Sequence, residues 1–188
     1  MLQVSRRIPQ GAGLAPVLIQ RAATLTLDWD LRQKSRFDCL DSEGRRIGVF
    51  LPRGTLVRGG DMLLTLDGTL LRVIAAPQAV LRVTHDAERG SAFDLLRAAY
   101  HLGNRHVPIE LKPDHLKIEP DHVLADLLRQ LGLIVAEVIE PFEPEAGAYG
   151  EHATLGHSHH GSHHGHAHAH GESDHAACQH PACDDHAH

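Results

Sequence analysis

Val80-Leu81-Arg82-Val83, followed by Ser91-Ala92-Phe93-Asp94-Leu95-Leu96-Arg97-Ala98-Ala99-Tyr100-His101-Leu102-Gly103, decides the fold. The first run is strand-like. Ser91 reads as a helix N-cap, and Asp94 three residues later makes a near capping box. Phe93, Leu96, Ala99 and Tyr100 recur at helical spacing, and Gly103 is the expected stop. Downstream, Val107 to Leu111 and His115 to Ile118 are short extended runs. Asp121 then caps a second helix through Val123, Leu124, Leu127, Leu128 and Leu131, which stops at Gly132. Leu133 to Ile139 closes as a strand. The order β-α-β-β-α-β is that of the ferredoxin-like split unit, which says nothing of function by itself.

Upstream of this unit the rhythm is that of β-structure. Thr24-Leu25-Thr26-Leu27-Asp28 alternates polar and apolar. Phe37-Asp38-Cys39-Leu40 and Ile47-Gly48-Val49-Phe50-Leu51 flank the turn candidate Asp41-Ser42-Glu43-Gly44. Glycine punctuation at Gly54, Gly59, Gly60 and Gly68 separates further short runs. The expected class is α+β: a small all-β domain over 1–77, a ferredoxin-like βαββαβ domain over 78–145, and a His-rich tail over 146–188. Residues 151–188 hold 13 histidines and only one large aliphatic, Leu155, so the tail is expected to be disordered and flexible. Two thin cores favour association into an oligomer.

Composition narrows the function. The formal charge is -6 with 18 histidines counted neutral, and aromatics make up 4%. With no basic patch standing out and few rings for stacking, nucleic acid is not an expected partner. No apolar run reaches the roughly 18 residues of a membrane helix. No apolar region follows Arg6 and Arg7, so neither membrane nor export is expected and the chain reads as cytoplasmic. There is no glycine-rich phosphate loop, no Gly-x-Ser-x-Gly elbow and no His-Glu-x-x-His helix, so an enzyme is not expected.

The tail carries the chemistry. His157, His159, His160, His163, His164, His166, His168 and His170 are separated by Gly, Ala and Ser. In an extended segment, residues i and i+2 lie on one side about 6.6–6.8 Å apart, so two imidazoles converge on one ion easily. Neutral imidazole suits nickel, zinc and copper, and copper wins by raw affinity. A purification tag is the simplest alternative, but the Gly, Ala and Ser interruptions and the acidic, Cys-containing continuation differ from an unbroken run. Cys178 and Cys183 are spaced more widely than the pairs commonest in structural zinc sites. Cys39 reads as a small buried hydrophobe.

Within the body, His101, His106, His115 and His122 are the informative histidines. His106 follows Gly103-Asn104-Arg105 in the loop leaving the first helix, a setting where ligands tend to sit. The simpler reading is a surface histidine, because one imidazole holds a transition metal poorly. Two copies across a two-fold axis would hold one better. His122 lies in the first turn of its helix, where the dipole favours a neutral ring. His101 sits in a last turn, where stabilisation of the charged ring is the simpler account.

Taken together, the sequence resembles the urease accessory nickel metallochaperones, the UreE family. The resemblance rests on Arg32-Gln33-Lys34-Ser35-Arg36, on Gly48-Val49-Phe50-Leu51-Pro52-Arg53-Gly54 and on Gly60-Asp61-Met62-Leu63. It continues through Val73-Ile74-Ala75-Ala76-Pro77, Ala99-Tyr100-His101-Leu102-Gly103-Asn104-Arg105-His106 and Asp121-His122-Val123-Leu124. It implies a peptide-binding-like β domain and a ferredoxin-like domain that forms a homodimer, with His106 of each subunit on a shared nickel. Some members carry a His-x-His pair before the second helix. Here its first position is Pro120, leaving only His122. The tail histidines transfer as a class of ligands.

The implied cargo is Ni2+, with Zn2+ or Cu2+ as ions the ligands would also take in vitro. The implied recipients are the urease apoprotein complex and its accessory GTPase. Storage or buffering of nickel or zinc is the alternative function. A metalloenzyme using Glu110 or Asp121 as base, and a co-chaperone acting through the β domain, are the remaining readings.

Overall fold

The computed structural model describes residues 1–146, which lie within one compact unit. The predicted tail, with His157 through His170, Cys178 and Cys183, falls outside the described residues.

The first module is a six-stranded mixed sheet in the order β2-β6-β5-β1-β4-β3. Its strands are β1 (Leu2–Ile8), β2 (Ala23–Leu27), β3 (Arg36–Leu40), β4 (Arg46–Phe50), β5 (Met62–Thr65) and β6 (Leu70–Ala75). The expected β3–β4 hairpin forms, with Arg36 opposite Phe50 and Leu40 opposite Arg46. Asp41 organises its turn by accepting from the Glu43 and Arg45 backbone N–H groups, both at 2.9 Å. Val4, Leu25, Ile47, Val49, Leu63, Leu71 and Val73 alternate along their strands into one core. Cys39 packs against that core as expected.

Two short helices interrupt the expected all-β pattern: α1 (Pro16–Arg21) and α2 (Trp29–Arg32). Pro16 supplies the start of α1. The Asp28 carboxylate caps α2 by accepting from Leu31 N–H at 2.8 Å. Single turns of this length leave too little periodicity to read in sequence.

The second module has the predicted element order. β7 (Pro77–His85), α3 (Ala92–Gly103), β8 (Glu110–Leu111), β9 (Leu116–Ile118), α4 (His122–Gln130) and β10 (Leu133–Pro141) form a sheet ordered β10-β7-β9-β8. Every neighbouring pair is antiparallel. Leu81, Val83, Leu116, Ile118 and Leu133 pack with Leu95, Ala98 and Leu102 of α3 and with Ala125 and Leu128 of α4.

Of the α3 stripe read from sequence, only Ala99 packs against the core, and the other three residues face away from it. Phe93, Leu96 and Tyr100 are 64%, 65% and 66% exposed, whereas Leu95, Ala98 and Leu102 are buried. Two apolar stripes run along this helix, and periodicity alone does not say which one meets the sheet.

The modules meet around Trp29. Its ring lies edge-on to Phe142 at 6.1 Å, with the Arg32 and Arg58 guanidiniums at 5.3 and 5.1 Å from its centre. Trp29, Phe142 and Val80 make a small core of their own.

Candidate metal centre

The turn that ends α3 sets the position of His106. Val107 N–H donates to the Leu102 carbonyl at 3.2 Å, and His106 N–H to the Gly103 carbonyl at 2.9 Å. These are the paired bonds of a Schellman cap. Val107 and Leu102 belong to the same apolar cluster, as that motif favours. His106 therefore occupies the left-handed position usually given to glycine, and its φ is +57°. Gly103, the expected stop, is instead the last helical residue. A side chain in this conformation costs about 1–2 kcal/mol, and such strain concentrates at functional positions. The His106 side chain is exposed.

His122 opens α4 and is also exposed, next to Asp121. The Asp121 carboxylate accepts from Val123 and Leu124 N–H at 2.8 and 2.9 Å, so its role is capping. His101 stacks edge-on to Tyr100 at 5.5 Å. His115 is a packed residue whose Nδ1 lies 2.8 Å from the Asp114 carboxylate and whose Nε2 is buried without a hydrogen-bond partner. The Asp114 carboxyl is held below its usual range chiefly by that hydrogen bond. Among the described residues, no three His, Cys, Asp or Glu side chains gather closely enough to hold an ion.

Among the described residues, His106 thus presents an exposed imidazole on a firmly built turn. The helix that ends in this turn, α3, carries Phe93, Leu96 and Tyr100 on an exposed face. Next to that face an apolar groove of about 260 Å³ is lined by Leu95, Leu96, Ala99, Leu111, Pro113 and Leu116. Such a donor suits a divalent ion only when a second ligand set is brought to it.

The root of the tail is tied nearby. Glu145 N–H donates to the Ile109 carbonyl at 2.8 Å, three residues beyond His106. Glu143 N–H donates to Glu110 at 2.7 Å. Burial alone would raise the Glu110 carboxyl, yet this N–H and the Lys117 ammonium at 3.3 Å hold it below its ordinary value. Glu110, weighed above as a general base, is in fact structural. Burial pushes the Cys39 thiol up to about 11, so it holds little thiolate near neutrality.

Residues 4–76 match the family model "UreE urease accessory protein, N-terminal domain", and residues 78–170 match its C-terminal counterpart. This chain belongs to the UreE urease accessory family. The UreE of Polaromonas naphthalenivorans is 73% identical over 161 residues, covering 85% of this chain and 76% of the relative. That of Albidiferax ferrireducens is 65% identical over 183 residues, 96% and 99% of the two chains. That of Ralstonia nicotianae is 50% identical over 157 residues, 84% and 72%. Membership of UreE gives the chain a chaperone's part in urease maturation and no enzymatic activity of its own. No helix among the described residues is long and apolar enough to cross a membrane.

Sequence reasoning missed Trp29, Arg32 and Glu143 as the residues that join the modules. Their contacts span roughly a hundred residues of chain, and no local pattern announces them.

Proposed function

We propose that this protein is a homodimeric, cytoplasmic Ni2+ carrier that delivers nickel to apo-urease, acting with the accessory GTPase. The domain limits 1–77, 78–145 and 146–188 belong to this reading. Its main support is that one helix carries an exposed apolar face and ends in the strained, exposed His106 turn. Burying Phe93, Leu96 and Tyr100 against a second copy would contribute roughly 1.5–3 kcal/mol for each fully covered side chain. A two-fold contact there presents the same turn from both subunits.

The tail histidines and His122 act as further ligands. Because the tail follows Glu145 in the same chain, and Glu145 is bonded to Ile109 three residues beyond His106, exchange of metal between tail and His106 is intramolecular. Loading on Gly- and Ala-spaced imidazoles and passage to the shared site follow from that arrangement. Zinc and copper bind the same donors in vitro.

Calorimetric titration with Ni2+ tests this directly. His106→Ala removes one shared site per dimer, and truncation after Gly150 lowers total capacity. Unchanged affinity and stoichiometry in His106→Ala would overturn the shared-site assignment. Full urease activity at limiting nickel in cells carrying the truncated chain would favour a reservoir role for the tail, the storage alternative.

A further inference from the structure

Arg105 stands directly before His106, and its side chain turns back onto the helix that ends there. Its backbone N–H donates to the Leu102 carbonyl at 3.0 Å, and its Nη1 donates to the His101 carbonyl at 2.9 Å. The guanidinium thus serves a carbonyl at the end of α3 that the helical ladder leaves without its N–H. Arg105 is exposed and makes no ion pair among the described residues. A positive charge at a helix C-terminus offsets the partial negative charge of the last carbonyls. Arg105 therefore steadies the turn and also cancels a field that would draw a cation towards His106.

The surrounding charges leave this cation in command. Residues 95–109 include Arg97 and Arg105 and no Asp or Glu. Arg97 is paired at 3.7 Å with Asp94, in the first turn of α3. Glu110 is buried and engaged by Lys112 and Lys117 at 3.4 and 3.3 Å. Glu145 is exposed, but its backbone bond is to Ile109, three residues beyond His106. Along the chain, the charge that adjoins His106 is Arg105.

We propose that Arg105 limits the affinity of the His106 site for a divalent cation, so that the ion is held exchangeably. The inference rests on reading His106 as half of a shared nickel site, where a two-fold axis brings a second copy of both residues. Repulsion raises the free energy of the loaded site alone, because only that state carries the charge of the ion. Water and salt weaken repulsion between exposed groups, so the expected effect is about threefold in affinity at low ionic strength.

The test is calorimetric titration of the full chain with Ni2+, in which the shared-site component is the one lost in His106→Ala. Arg105→Gln removes the charge but keeps an amide donor, and is expected to bind at that component about threefold tighter at about 20 mM salt. The gain should shrink towards nothing at about 500 mM salt. Arg105→Lys, which restores the charge, should return the wild-type value. Arg129→Gln, which removes a charge from α4, should give no gain. In the His106→Ala background Arg105→Gln should change nothing, since the coupling is between these two positions. A cap with a purely structural role predicts the reverse, a loosened turn and weaker binding at both salt concentrations.

Equal or weaker binding in Arg105→Gln overturns the proposal, as does a gain that persists undiminished at high salt. An equal gain in Arg129→Gln, or in the absence of His106, overturns it by tracing the effect to net charge. If His106→Ala itself leaves the titration unchanged, the shared-site reading falls and this inference falls with it. Loss of the component in His106→Ala without a gain in Arg105→Gln overturns this inference alone.

Discussion

The guanidinium of Arg32, fully buried, meets the Glu143 carboxylate at 2.6 Å, joining α2 to the segment that follows β10. Arg32 also donates to the Leu27 carbonyl at 3.1 Å and the Phe142 carbonyl at 2.5 Å. Glu143 in turn accepts from Gly59 N–H at 2.8 Å, and Arg58 reaches the Pro144 carbonyl. The short β-to-tail segment is thereby bound to both modules at once.

Arg32→Ala is expected to destabilise the protein by about 3 kcal/mol, because it leaves a buried acceptor set and a carboxylate without their cation. Glu143→Gln keeps an acceptor for Gly59 and should cost about 1 kcal/mol. Urea unfolding followed by Trp29 emission measures both, since Trp29 is the sole tryptophan and lies at the junction. Equal losses in the two variants would contradict this account.

At position 106, backbone and side chain make separable contributions. His106→Gly relieves the left-handed strain and is expected to melt higher than His106→Ala, by about 1 kcal/mol or roughly 2–4 °C. Both variants should lose the proposed shared nickel site equally. Calorimetric nickel titration alongside thermal melts distinguishes the two effects, and a glycine variant no more stable than alanine would contradict the Schellman geometry.

Leu96→Glu puts a charge on the exposed α3 face. For the proposed homodimer, light scattering coupled to gel filtration is expected to show the mass falling from two 20.6 kDa chains to one. Nickel bound at the shared site should fall with it, while the Trp29 environment stays unchanged. A Leu96→Glu dimer of wild-type stability would place the interface elsewhere.

Glu110 contributes a pH dependence with a definite sign. Its folded carboxyl lies below the ordinary 4.5, so its stabilisation is present above that value and is lost as pH falls through the folded value. Glu110→Gln should therefore melt below the wild type at neutral pH, and the two melting curves should converge as pH drops below about 4.5. A constant difference across this range would rule out the Glu110 linkage.

Cys39 should resist alkylation in the native protein at pH 8 and react once urea exposes it. Its thiol is raised to about 11, leaving little thiolate near neutrality. Mass spectrometry of iodoacetamide-treated protein reads the site, and rapid native modification would show that the thiol is neither buried nor raised.

The βαββαβ order, the β3–β4 hairpin and the helix caps at Ser91 and Asp121 were legible in the sequence because each is a local matter. A cap is satisfied within three residues, as when Ser91 N–H donates to Asp94 at 2.8 Å. A hairpin is satisfied across one turn. His106 stood out in the linear text only by the Gly-Asn-Arg-His motif around it, and its left-handed backbone did not show there at all.

What the tertiary structure alone decided was which of two apolar stripes on α3 turns inward. Leu95, Ala98 and Leu102 meet the sheet, and Phe93, Leu96 and Tyr100 are left for solvent or a partner. It decided too that Arg32 and Glu143, 111 residues apart, would join the modules. Both outcomes depend on long-range packing, in which the geometry of the whole sheet selects among faces and partners that neighbouring residues leave equivalent.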